Sequence, residues 1–176
     1  MKLIQLRKPI KGKNVFLVPY TSEVQICKRF SKEDWHKIAD DIDNDEELSE
    51  LFIQYPHLIQ GFILNDNIRN QPIGFCYILK ERNARNAVSF HGGGWDQSVR
   101  MSILYVEGTI LLIEYLLKLG YKVRTYCSID NLRAYKFMHG LGFVCYRKTS
   151  KRIYQWINLK RLYRNPIYNI LIKRYD

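Results

Sequence analysis

The N-terminal half of the chain alternates short apolar stretches with polar turns. Residues 14–20, 58–64, 72–79 and 87–91 are rich in apolar and aromatic side chains, which predicts four β-strands. The last three follow one another across polar turns, so they predict an antiparallel meander. Between the first and second strands, Ser31 has the serine-to-acid spacing of a capping box and begins a predicted helix.

A long apolar helix is predicted at residues 103–119. Its side chains are apolar nearly all round, and a helix of this kind is usually buried against a sheet. We expect Glu107, Glu114 and Lys118 to share a narrow exposed stripe. Gly120 follows at the position where glycine commonly ends a helix in a left-handed conformation.

The remaining pattern predicts one more strand, one more helix and a hairpin. Residues 122–128 alternate as a half-buried strand, and residues 131–141 form a helix that Gly142 ends. Residues 144–147 and 152–159 predict a final hairpin. Strands and helices in this order are typical of the α+β class.

The length of 176 residues fits one domain, which we place at residues 1–162. Residues 163–176 are a basic tail. Its apolar side chains indicate that it docks on the domain or on a partner; they are Ile167, Ile170, Leu171 and Ile172.

A family resemblance rests on residues 102–143. The order helix, glycine, strand, helix, with the segments Asn131-Leu132-Arg133-Ala134 and Gly140-Leu141-Gly142-Phe143, resembles the acyl-CoA-binding half of the GCN5-related N-acetyltransferases (GNATs). The order of elements matches that family over residues 15–159. The resemblance implies a mixed, mostly antiparallel central sheet with two splayed parallel strands, flanked by helices. It also implies transfer of an acetyl or other acyl group from coenzyme A to an amine, by direct attack in a ternary complex.

The resemblance also implies where acetyl-CoA binds. In the family, pantetheine lies between the splayed strands, here residues 87–91 and 122–128, and the pyrophosphate rests on amides at the start of the next helix. The family pattern Gln/Arg-x-x-Gly-x-Gly/Ala falls on six cofactor-binding candidates, Gln97, Ser98, Val99, Arg100, Met101 and Ser102. Arg100 replaces the middle glycine. Two interpretations stay open: Arg100 pairs with a phosphate, or the loop no longer binds cofactor. Asn131 matches the family's asparagine and is the seventh candidate.

Two residues are candidates for catalysis. His91 stands at the end of the fourth predicted strand, before a glycine triplet at residues 92–94 that is expected to end that strand. It is either a general base or a histidine packed at a strand end. The family's frequent proton-donating tyrosine falls on Met138, so Tyr135, three residues earlier, is the substitute.

The net charge of +11, concentrated after residue 147, favours an anionic partner. The cofactor, a nucleic acid or an anionic surface would satisfy it, and the alternative is a solvated cationic face. Tyr154, Trp156 and Tyr163 either stack nucleic-acid bases or fill a strand. The acidic residues within 40–50 form a turn or recognise a cationic amine.

The four cysteines lie far apart, which predicts buried structural thiols and no metal site. Without an uncharged apolar run of about 18 residues we expect no membrane span, and without an apolar signal core a cytoplasmic location. The sequence predicts an acyl-CoA-dependent N-acetyltransferase that acts on a small-molecule or peptide amine. The alternatives are a non-catalytic GNAT-fold binder and a basic nucleic-acid-binding module. Acceptor, acyl length and oligomeric state stay open.

Overall fold

The structure, a computed structural model, describes residues 6–20, 57–81, 84–94 and 102–172. In chain order its elements are β1 (Ile10–Lys11), β2 (Val15–Tyr20), β3 (Ile59–Asp66), β4 (Pro72–Lys80), β5 (Ala87–Gly94), α1 (Ile103–Lys118), β6 (Lys122–Ser128), α2 (Leu132–Gly140), β7 (Phe143–Lys148), β8 (Arg152–Ile157), α3 (Leu159–Arg164) and α4 (Pro166–Ile172). The helix predicted from Ser31 and the acidic residues within 40–50 lie outside these ranges.

The eight strands form one sheet in the order β1-β2-β3-β4-β5-β6-β8-β7. Neighbouring strands are antiparallel except β5 and β6, which are parallel. A parallel pair needs a crossover connection, and α1 provides it. The predicted α+β class, the antiparallel meander and the mixed sheet are confirmed.

Helix α1 packs its apolar side chains on one face of the sheet. Ile110 and Leu112 are fully buried, in the same core cluster as Val88 of β5 and Val123 of β6. The helix begins after Ser102, whose hydroxyl accepts a hydrogen bond from the Tyr105 amide at 3.4 Å. Gly120 follows its end with a φ of +79°, as predicted.

The predicted exposed stripe on α1 is wrong for Glu107, which is fully buried. Its carboxylate accepts hydrogen bonds from the Asn14 amide at 3.0 Å and from the Asn14 side chain at 2.8 Å. These two donors come from the turn between β1 and β2, so a buried carboxyl group ties the first strands to α1. Buried carboxylates of this kind are tolerated because they are hydrogen-bonded.

The strand predicted at residues 87–91 extends through the glycine triplet, since β5 runs to Gly94. Gly92, Gly93 and Gly94 lie within the strand and pair with residues of β4. Hydrogen bonding in a sheet uses only the backbone, so residues without side chains continue the ladder when the neighbouring strand is long enough.

The C-terminal segment packs against the rest of the molecule. Leu162, Tyr168 and Leu171 are buried in the same core cluster as α1, and the Tyr168 hydroxyl donates to the Glu114 carboxylate. Ile167 and Ile170 remain exposed. Helix α3 runs across the predicted boundary at residue 162, and the division into domain and tail stays a prediction.

Within the described ranges, no helix is long and apolar enough to cross a membrane. Among the same residues, no group of three or more histidine, cysteine, aspartate or glutamate side chains is placed to hold a metal ion. Cys76 and Cys127 are buried and Cys145 is half-buried, all as free thiols. Burial raises the pKa of the Cys76 thiol, so this group is unreactive.

Candidate active site

The two parallel strands at the centre of the sheet pair over only three positions. These are Ala87 with Lys122, Val88 with Val123, and Ser89 with Arg124. Beyond them β5 continues to Gly94 along β4, and β6 continues to Ser128 along β8. The two strands therefore stop pairing toward their carboxyl ends. We call this unpaired stretch the gap, and its end beside Gly94 and Ser128 the wide end.

The backbone of β5 presents hydrogen-bonding groups to this gap. The Asn86 carbonyl accepts from the Lys122 amide at 2.7 Å, so it points toward β6, whereas the Ala87 carbonyl accepts from Glu81 on the other side. Because successive peptide groups of a strand point to opposite neighbours, Phe90 and Gly92 also face β6. At Gly92 the paired part of β6 has already ended. An extended ligand in the gap can use these groups as a neighbouring strand would.

On the side of the gap that faces α1, Tyr105 closes over Gly92. A Cβ atom placed on Gly92 would lie 2.8 Å from the Tyr105 hydroxyl, so any larger residue would require this side chain to shift. The Tyr105 ring is buried, 5.5 Å from the ring of Phe137 in α2. These contacts place the first turn of α1 beside the gap. That turn contains no acidic residue, which suits an anion at the positive end of the helix dipole.

On the opposite side of the sheet, His91 lies between two tyrosines. Its ring stacks on Tyr77 at 5.0 Å and meets the edge of Tyr126 at 4.3 Å. Burial lowers the pKa of His91 to about 3, and the positive charge of Arg152 also lowers it. The imidazole is therefore neutral near pH 7. Its buried Nε2 atom has no hydrogen-bond partner among the residues that the structure describes, and a buried polar atom is costly unless something provides one.

The His91–Tyr126 contact closes only the narrow end of the gap on this side. Farther along, the residues that border the gap are Gly93 and Ser128, neither of which has a large side chain. Arg152 pairs with Ser128 and therefore lies on the same side of the sheet, next to the wide end.

The structure brings some of the predicted site residues together and separates others. His91 and Ser102 lie on the elements that flank the gap. Asn131 caps α2, where its side-chain oxygen accepts from the Ala134 amide at 3.0 Å. Five of the cofactor-binding candidates lie outside the described residues: Gln97, Ser98, Val99, Arg100 and Met101.

Tyr135 lies on a different face of α2 from Phe137. Two residues of helix separate it from Phe137 by about 200° of rotation, and Phe137 is the residue that reaches Tyr105. The Tyr135 ring instead lies 5.9 Å from His139. Met138, at the family's tyrosine position, is buried in the core.

Sequence reasoning missed Tyr105 and Tyr126. Tyr105 lies in the first turn of an apolar helix, where an aromatic ring is expected to serve only the core. Tyr126 is an outward residue of an alternating strand. The signal in the sequence was the glycine triplet, which indicates a close approach to the backbone but does not say that Tyr105 makes it.

Comparison with known proteins gives the fold. No family model and no curated protein matches the sequence. Among solved structures, a GCN5-related N-acetyltransferase from Brucella melitensis superposes with a TM-score of 0.69 at 13% identity, covering 99% of this chain and 90% of that one. The chain has the GNAT fold.

Two other GNAT structures differ in what they act on. FdhC, described as a nucleotide-linked sugar GNAT, superposes with a TM-score of 0.64 at 13% identity, covering 94% of this chain and 98% of FdhC. A chimera of the Vibrio cholerae spermidine N-acetyltransferase and hSSAT gives 0.52 at 14% identity, covering 69% of this chain and 79% of the chimera. Solved structures of this fold therefore carry names with chemically different substrates, a nucleotide-linked sugar and a polyamine.

Proposed function

We propose that this protein is an acyl-CoA-dependent N-acyltransferase that moves an acyl group, most simply acetyl, to an amine. The observation that carries the proposal is the gap between β5 and β6, where backbone positions of β5 have no strand partner within the described ranges and the first turn of α1 lies alongside. Within the GNAT fold, these features suit an extended thioester arm that ends in a phosphorylated group.

The residues at the gap fit acetyl-CoA on two independent grounds. Gly92 turns its backbone groups toward the gap, where an extended ligand can reach them. The Nε2 atom of His91 is a buried polar group that needs a partner. The phosphates are expected at the N-terminus of α1, on Ser102 and on the preceding residues 97–101, where Arg100 supplies a positive charge. Asn131 is expected to fix the start of α2 beside them.

The chemistry requires that the acceptor nitrogen attack the thioester carbonyl carbon while the bond from carbon to sulfur breaks. The nitrogen loses a proton and the sulfur gains one. We assign the Gly92 amide as the donor to the carbonyl oxygen as negative charge develops on it. We assign the proton for the sulfur to the Tyr105 hydroxyl, because Tyr135 lies on a different face of α2 from Phe137, which contacts Tyr105.

His91 is assigned a hydrogen-bonding role in place of the expected general base. A group with a pKa of about 3 accepts a proton poorly from an amine, whose pKa is about 10. A neutral imidazole can still orient the acceptor nitrogen through Nε2. The amine proton then leaves through water at the wide end of the gap.

Release of free thiol from acetyl-CoA in the presence of an amine panel tests the proposal. Tyr105→Phe should lower kcat by about 10- to 100-fold with little change in the KM for acetyl-CoA. Tyr115→Phe, in the same helix but about 15 Å farther along, is the matched control and should behave as wild type.

Thermal unfolding with acetyl-CoA separates the alternatives, because a ligand that binds the folded state raises its stability. Stabilisation without thiol release from any amine would favour a non-catalytic binder. A melting temperature that acetyl-CoA leaves unchanged would contradict the proposal as a whole.

A further inference from the structure

Arginine side chains cover tyrosine rings on the side of the sheet that faces away from α1. The three pairs, measured from guanidinium carbon to ring centroid, are Arg152 over Tyr126 at 4.6 Å, Arg147 over Tyr154 at 5.5 Å, and Arg124 over Tyr146 at 5.6 Å. We refer to these six residues as the arginine–tyrosine face. It spans β6, β8 and β7, the three strands on one side of the gap.

This face begins at the gap itself. Tyr126 touches His91 at 4.3 Å, and Arg152 lies over the same tyrosine. Arg152 also pairs with Ser128, which borders the wide end. One aromatic ring therefore separates a guanidinium group from the histidine at the proposed reacting centre.

The positive charge of the face reaches the gap. Arg152 contributes to the lowered pKa of His91, so its potential acts at the imidazole. Arg124 is partly balanced by Glu81, with 2.6 Å between Nη1 and Oε2. Arg147 lies exposed on β7, at the edge of the sheet. Tyr146 and Trp156 are 48% and 50% exposed, so solvent reaches the face at this edge.

We infer, on the basis of the proposed function, that the acceptor is a small amine with an oxyanion group, a phosphate or a carboxylate, which the arginine–tyrosine face binds. Guanidinium groups bind phosphate and carboxylate through paired hydrogen bonds, and rings beneath them hold the guanidinium plane in place. The same positive potential repels a polyamine. The expectation of a cationic acceptor, based on residues within 40–50, rests on a segment outside the described ranges.

The test compares four primary amines of similar size by amide NMR titration of the full chain at fixed ionic strength. Phosphoethanolamine and β-alanine carry phosphate and carboxylate, ethanolamine carries no second charge, and putrescine carries a second positive charge. Titrations are run with and without saturating coenzyme A. At least one anionic amine should bind about tenfold more tightly than ethanolamine, and putrescine should bind more weakly than ethanolamine. The two anionic arms show which oxyanion is recognised.

Variants on opposite sides of the sheet locate the binding. Arg152→Gln should remove most of the difference in affinity between the anionic amine and ethanolamine. Arg147→Gln, at an exposed position, should reduce this difference. Lys148→Gln removes the same charge from the same strand as Arg147. It pairs with Ile153, a buried residue on the side that faces α1, and should keep the difference.

Equal binding of the four amines, or tightest binding of putrescine, would overturn the inference. So would a difference in affinity that survives in Arg152→Gln. A single-stranded oligonucleotide that binds this face and displaces phosphoethanolamine would assign the face to nucleic acid instead. These titrations measure binding of the acceptor and not its reaction. Their result therefore tests the inference about the acceptor separately from the assay of thiol release.

Discussion

His91 and Tyr126 touch across the two strands that the sheet leaves unpaired. Their ring centroids are 4.3 Å apart, although no backbone pairing joins their strands beyond Ser89 and Arg124. The His91–Tyr126 contact covers the narrow end of the gap on the side of the sheet that faces away from α1. On the side that faces α1, Tyr105 covers Gly92. Where the backbone hydrogen bonds between β5 and β6 stop, contacts of aromatic side chains therefore fix the position of one strand relative to the other.

The burial of His91 makes the stability of the protein depend on pH. As pH falls below about 6.5, the unfolded chain binds a proton at this residue, whereas the folded protein does so only near its pKa of about 3. Protons therefore favour the unfolded state in this window. Between about pH 7 and pH 5, wild type should lose about 2 kcal/mol of unfolding free energy that His91→Phe does not lose.

Urea unfolding at the two pH values measures this difference. Tyr126→Phe, which keeps the histidine and its neighbouring ring, should retain the wild-type pH dependence. A His91→Phe variant that loses as much stability as wild type would show that His91 is not buried in neutral form.

The contact between Tyr105 and Gly92 predicts a coupled pair of substitutions. Gly92→Ala should destabilise the protein by about 1–3 kcal/mol, since the added methyl group overlaps the tyrosine hydroxyl. In a Tyr105→Phe background the same substitution should cost less, with a coupling of at least about 0.5 kcal/mol. Gly140→Ala, where nothing lies within 4 Å, is the control and should not destabilise. Strictly additive effects of Gly92→Ala and Tyr105→Phe on stability would show that these two residues are not in contact.

Gly120 and Gly142 form a matched pair for testing how the C-terminal helices pack. Both have positive φ, +79° and +106°. A methyl group on Gly120 meets nothing within 4 Å, but on Gly142 it would lie 2.8 Å from the Leu162 amide nitrogen. Gly120→Ala should cost about 1–2 kcal/mol from backbone strain alone, and Gly142→Ala clearly more. Equal costs in thermal or urea unfolding would indicate that α3 does not pack against this turn.

The regular elements followed from the sequence because each has a local cause. The capping hydroxyl of Ser102, the apolar surface of α1 and the left-handed Gly120 act within one helix and its ends. The alternation of residues 122–128 likewise reports one buried face of a strand. The gap was expected only through the family resemblance, because no local pattern marks where two parallel strands stop pairing.

The errors arose where distant segments meet. Glu107 was expected in solvent because it is charged, and its two hydrogen-bond donors come from Asn14, far away in the chain. Tyr135 was favoured for its closeness in sequence to Met138, and its role stays a prediction; the hydroxyl that lies over Gly92 belongs to Tyr105 on a different helix. Helix rotation and cross-helix contacts decide such roles, and neither is visible in spacing alone.

The central claim is that coenzyme A enters the gap between β5 and β6, and amide NMR of the labelled protein during a coenzyme A titration tests it most directly. The predicted result is a saturable shift of the Phe90, Gly92, Tyr126 and Ser102 amide signals, with Gly120 and Gly142 unchanged. Shifts confined to β7 and α3, or none at saturating ligand, would contradict it.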